Sequence, residues 1–277
     1  MLPFYRKYVI AVCASAVAVS IVVSTIWAFV TGRVMASTIE GLLISLALFF
    51  GTLAVTGRIF NNKATEETER LFALYNDRCD PEAFVNEAAD LARTAREARG
   101  ELSSWVMSYY AQALLDVGKP DAARAILSEQ VQSVDALKKT SDQAAVVVNM
   151  VPLAMKLDEP PVVMALIDHG IELLADAADY ASTERRTYLQ GQREIMEARL
   201  AGDNERLVGL YERIRTSAAG PLRVRVERAW DEAQIHFRTG DAARERTCLA
   251  FVVEKGNKLA LVAPARARLA ALDAPAI

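Results

Sequence analysis

Polar and apolar positions divide the chain into two unequal parts. From 8 to 30, twenty-three consecutive residues carry no charge. At 1.5 Å per residue such a helix spans about 34 Å, enough to cross a hydrocarbon core. A second uncharged run, 41–57, predicts another span over 38–57 once Thr38 and Ile39 are included, with Glu40 near the interface. Gly32 stops the first helix, so 1–57 reads as a transmembrane hairpin. A cleaved signal peptide is the competing reading of the first run, because Arg6 and Lys7 precede it and Ala36 and Ser37 follow it. Its apolar core is too long for that, since signal cores run about 7 to 15 residues.

Beyond a juxtamembrane linker or helix, 58–79, apolar residues recur at a helical period to the end of the chain. Phe84, Ala88, Leu91 and Ala95 share one face, and Leu102, Val106, Tyr109 and Ala113 the next. Ala144, Val148, Val151 and Met155 follow, then Val163, Leu166, Gly170 and Leu174. The series continues through Leu207, Leu210, Tyr211 and Ile214, then Val226, Ala229, Ala233 and Phe237, then Leu249, Val252 and Val253. No comparable stretch alternates with period two. The fold class is therefore all-α: the hairpin, then antiparallel helix pairs over 80–273 and a short tail, 274–277. Breaks at Gly118, Asp158, Gly202 and Gly240 recur about every 40 residues, the size of a helix-pair repeat, which predicts an α-solenoid. Pro152 and Pro264 interrupt helical patterns and are expected to kink or break them.

At this point the chain resembles the tetratricopeptide-repeat superfamily. In 105–130, Tyr110, Ala111 and Leu114 precede Gly118, and Ala123 and Leu127 follow it at the family's offsets. In 229–253, Ala233 precedes Gly240, but Glu245 stands where the family has a small Ala, and Leu207 holds the equivalent place after Gly202. The resemblance covers 80–256. It implies a scaffold that binds a protein or peptide partner.

Charge sharpens the division. Of 32 basic residues 29 lie from residue 58 onward, with 34 of the 35 acidic ones, giving that part a net charge of −5. That balance disfavours nucleic acid. Arg6 and Lys7 before the first span, and Arg58, Lys63 and Arg70 after the second, outnumber the lone Arg33 between them. By the positive-inside bias both termini face the cytoplasm, the plasma membrane being the expected location. Glu66, Glu67 and Glu69 should hold the polar domain off anionic headgroups.

Small residues at i, i+4, namely Ala16, Ser20, Ser24 and Ala28, then Gly41 with Ser45 and Ala47 with Gly51, let spans pack on each other or on copies of themselves. No ionisable residue lies deep in either span, which argues against an ion path. No phosphate loop, dinucleotide fingerprint, nucleophile elbow or local zinc spacing occurs, so no catalytic, cofactor or metal residue is assigned. His169 beside Asp168 points away from it on a helix and reads as a surface histidine; His236 reads as a boundary residue. Cys79 and Cys248 are free thiols in a reducing compartment. Trp105, Tyr109 and Tyr110 read as helix packing, with a groove lining as the alternative. Arg213, Arg215, Arg223, Arg225 and Arg228 form the most distinctive charged cluster. It is either a solvated face or a set of forks for a partner's carboxylates. The leading function is a membrane-tethered adaptor. The alternatives are a ligand sensor or enzyme with a pocket between helices, and an accessory subunit of a membrane complex. A deep pocket with buried ionisable groups separates a sensor or enzyme from an adaptor's shallow groove.

Overall fold

A computed structural model describes residues 4–32, 39–217 and 220–273, with the side chains of 39–42 outside the description. Among these residues the chain is all-α, with thirteen α-helices, one 3₁₀ turn and no strand. It divides into two compact units, 1–70 and 71–277.

The first unit is a pair of helices, α1 (Arg6–Thr31) and α2 (Ile39–Asn76), both long and apolar enough to cross a membrane. The start of α1 lies beside residues 60–68 of α2. There Tyr8 stacks on Phe60 at 5.7 Å, the hydroxyls of Tyr5 and Thr68 share a hydrogen bond of 2.9 Å, and Lys7 pairs with Glu67. Most of the remaining apolar surface faces outward, including Ile10, Ile21, Phe29, Leu43, Phe50 and Val55. Of the linker or helix expected at 58–79, residues 58–76 are helical. α2 continues unbroken to Asn76, and its last turns, from Leu71, already belong to the second unit.

The second unit runs through α3 (Pro81–Glu87), α4 (Ala89–Glu97), α5 (Glu101–Asp116), α6 (Pro120–Gln132), α7 (Thr140–Lys156), α8 (Pro160–Leu173) and α9 (Tyr180–Ala201). It closes with α10 (Asn204–Thr216), α11 (Leu222–Thr239), α12 (Ala242–Lys255) and α13 (Val262–Asp273). From α3 to α13 each helix packs on the next, and α5 also packs on α7, and α7 on α9. Gly202 and Gly240 end α9 and α11 in the left-handed region, at φ 67° and 77°, where a side chain would be strained. At the break that lacks a glycine, Asp158 takes φ 57° instead. Asp80, Asp179, Asp203 and Asp241 each accept the N–H three residues on, which caps the helix that follows.

Several expectations change. Pro152 lies inside α7 without ending it, and Pro264 sits in the first turn of α13, where its missing N–H needs no partner. The expected face over Phe84–Ala95 is two helices meeting at Ala88. Phe237 is 52% exposed, with the Arg268 guanidinium 4.2 Å from its ring centroid. Glu245, in place of the small residue, is buried and accepts two hydrogen bonds from Arg268 of α13, at 2.6 and 3.1 Å. The ends of the unit meet. Asn257 Nδ2 donates to the Arg78 carbonyl at 2.7 Å, the Lys258 N–H to the Cys79 carbonyl at 3.1 Å, and Lys258 Nζ pairs with Asp80 at 2.7 Å.

Candidate functional site

Within the second unit, α5, α7, α9 and α11 turn one face each toward a cavity of about 880 Å³. Helical spacing puts Ser108 with Gln112, Val148 with Pro152, Tyr188 with Gln192, and Glu227 with Asp231 on the same inward stripes. This explains why Tyr109, Val148 and Met155, apolar-face residues by sequence, are only half-buried: they line open space.

One wall is a satisfied ionic network. Lys156 Nζ donates to Asp116 and Glu227, each at 2.7 Å, and to the Tyr75 hydroxyl at 3.1 Å. The Tyr75 hydroxyl donates to Asp116 at 2.6 Å. Arg223 Nη1 reaches Glu227 at 2.8 and 3.0 Å and the Gln112 carbonyl at 3.1 Å, and its guanidinium lies 4.5 Å from the Tyr75 ring centroid. Burial alone would raise the Glu227 pKa, but the Arg223 guanidinium and Lys156 ammonium hold it down at about 2. Burial pulls Lys156 the other way, and the oxygens of Glu227, Tyr75 and Asp116 more than restore it, so its pKa stands raised. Phe72 stacks on Trp105 at 4.1 Å and meets Phe84 edge-on, backing this wall with aromatic rings.

The facing wall keeps free hydrogen-bonding capacity. Tyr188, Gln192 and Arg199 lie along one side of α9, the first and last about 16 Å apart by helical rise. Among the described residues the Tyr188 hydroxyl, the Gln192 amide and the Trp230 indole N–H make no hydrogen bond. Tyr188 lines the cavity and is 36% exposed, and the surrounding protein pushes its phenol pKa up by desolvation. Arg199 meets Asp158 only at 3.4 Å, both side chains being exposed. Arg228 Nη1 donates to Asp231 at 2.7 Å while its buried Nε has no partner. Burial raises the Asp231 pKa against the lowering pull of Arg228. Four aromatic side chains, Trp105, Tyr109, Tyr188 and Trp230, line the cavity among these polar groups, a composition suited to holding a ligand. No histidine or cysteine lines the cavity among the described residues.

The arginine cluster splits. Arg223 and Arg228 reach the cavity. Arg215 pairs with buried Glu232 at 3.0 Å. Arg225 donates to the Arg215 carbonyl at 2.8 Å and covers the Phe251 ring, and Arg213 is exposed on α10. Of the aromatic cluster, Trp105 and Tyr109 line the cavity, and Tyr110 is half-buried elsewhere. His169 is exposed, and Asp168 meets Arg193 at 3.4 Å. His236 is 5% exposed and lies with Glu232 and Cys248 in a group of side chains able to hold a metal ion. In the hairpin Ala16 is buried, Ser20, Ser24, Ala28 and Ser45 are half-buried, and Ala47 and Gly51 face outward. Gly41 lies within α2, and its exposure is outside the description.

Sequence reasoning missed Lys156, Asp116, Tyr75, Tyr188 and Asp231. Glu227 was visible there only as an acid between arginines; its i, i+4 spacing to Arg223 was the available signal. No family model, curated protein or solved structure matches this chain.

Proposed function

We propose that this chain is a membrane-anchored helical-repeat binding protein whose central cavity receives a polar peptide segment of a partner protein. The hairpin anchors it: its outward apolar side chains find their natural surroundings in lipid. Arg6 and Lys7 share one end of the hairpin with Arg58, Lys63 and Arg70, as the Lys7–Glu67 pair requires. That excess favours the cytoplasmic face of the plasma membrane for both termini. Packing of each helix on the next, and of α5 on α7 on α9, suits a short solenoid of helix pairs with α5, α7, α9 and α11 as its inner row.

The observation that carries the proposal is the stripe of polar side chains along α9, about 16 Å from Tyr188 to Arg199 by helical rise, in which Tyr188 and Gln192 make no hydrogen bond and Arg199 meets only Asp158, with Trp105 and Tyr109 of α5 lining the same cavity. A stripe of that length matches about five extended residues. A second reading, a sensor of or an enzyme acting on a small polar ligand, is favoured by the cavity's volume, which lies within the range of small-molecule pockets, and by the buried ionisable groups of its wall, the feature that separates that class from a shallow docking groove. A photoreactive phenylalanine analogue replacing Tyr188 in living cells, with one replacing Tyr180 as the exposed control, separates them. The peptide reading expects a protein-sized adduct at 188 only. A low-mass adduct there supports the sensor, and adducts at 180 without any at 188 contradict both.

A further inference from the structure

Outside the cavity, α11 and α12 bury three side chains that the binding reading does not use. Glu232 and His236 lie one turn apart on α11, and Cys248 faces them from α12, at 1%, 5% and 3% exposure. A carboxylate oxygen, a ring nitrogen and the sulfur all lie within 4.8 Å of one another. Cys248 Sγ is 3.4 Å from Glu232 Oε2, close to the roughly 3.5 Å that separates two ligands bonded at 2.0–2.3 Å to one tetrahedral ion. Side-chain rotation of about 1 Å closes the widest gap to that spacing. The His236 imidazole makes no hydrogen bond among the described residues, although the residue is almost fully buried. Arg215 Nε donates to both oxygens of Glu232, at 3.0 and 3.1 Å, which fixes the carboxylate as outer-shell partners fix metal ligands. A recess lined by His236, Asn204, Asp241 and the exposed Glu205 and Arg244 offers a path from solvent.

We infer that Glu232, His236 and Cys248 form a site for a divalent cation of the zinc class. Sulfur, imidazole nitrogen and one carboxylate oxygen are a zinc donor set, and three protein ligands leave a fourth position for water. On binding, the Cys248 S–H bond breaks, its proton leaves to solvent, and the sulfur lone pair forms the bond to the ion. Glu232 exchanges its contact with the thiol for one with the metal and keeps Arg215. No electron changes hands. The site is independent of the cavity and survives if the cavity's ligand proves to be something else. In sequence the ligands are four and twelve residues apart, a spacing that matches no zinc signature.

The test is a cobalt titration of the full-length protein, purified in detergent under reducing conditions without chelator. The expected result is a thiolate-to-cobalt charge-transfer band, with the visible bands of four-coordinate cobalt, that saturates at one equivalent and disappears on adding zinc. The near-isosteric Cys248→Ser should lose the charge-transfer band with its helical circular dichroism intact, whereas Cys79→Ser should keep it. A folded wild-type protein, shown to be metal-free by elemental analysis, without the band at stoichiometric cobalt, or a band that persists in Cys248→Ser, overturns the site.

Discussion

Replacing Glu227 with Gln should expose how tightly the cavity wall depends on charge balance. Glu227 accepts from Lys156 at 2.7 Å and from Arg223 at 2.8 Å, and the three side chains are 18%, 19% and 4% exposed. In the wild type two cations face two carboxylates, Asp116 and Glu227. Gln keeps the volume but leaves one positive charge uncompensated, with Arg223 reduced to the neutral oxygens of Gln112 and Asn76. Breaking a buried pair on one side costs about 3–5 kcal/mol. Water in the cavity relaxes part of this, so about 3 kcal/mol is expected. For a unit of this size that lowers Tm by roughly 6–12 °C. Linkage gives the same scale and a sign. The carboxyl pKa falls from the ordinary 4.5 to about 2 on folding. Its stabilisation is therefore complete above 4.5 and is lost as pH falls from there toward 2. The Tm gap between wild type and Glu227→Gln should be full at pH 7 and close on acidification. Thermal melts of the full-length protein in detergent, followed by circular dichroism, measure it. A gap under about 2 °C at pH 7, or one that persists unchanged in acid, refutes the reasoning.

Gly170→Ala should destabilise the second unit by about 1–3 kcal/mol. The added methyl would meet Leu189 Cδ1 at 2.6 Å and Val147 Cγ1 at 3.0 Å, both on fully buried side chains with no room to retreat; chemical denaturation checks it. Cys79 should resist iodoacetamide at pH 8 until the protein unfolds, since it is buried and burial pushes its thiol up to about 12. Alkylation at the free-thiol rate in the folded protein, read by mass spectrometry, would contradict that burial.

How much the chain disclosed in advance depended on how local each cause is. The two apolar runs and the glycine stops at 118, 202 and 240 act within one or two turns, and their helices lie where the pattern puts them. Phe237 fell on an apolar stripe by period alone, but the stripe there runs out toward Arg268, which supplies a cation over the ring. The ionic wall was illegible because the hydrogen-bonded pairs among Tyr75, Asp116, Lys156 and Glu227 are 40 to 81 residues apart in sequence, and each residue alone looks like an ordinary polar residue of the surface. The arginine cluster was conspicuous, yet helical rotation sends its members to different environments, and only Arg223 and Arg228 meet the cavity.

The account turns on the cavity being occupied in the native membrane, and labelling of a cysteine placed at Tyr188 tests this most directly. A membrane-permeant maleimide should modify Tyr188→Cys several-fold more slowly in native membranes than in detergent-purified protein stripped of its partner, while Tyr180→Cys reacts at the same rate in both. Equal rates at 188 in the two preparations would mean that nothing fills the cavity and would contradict the proposed function.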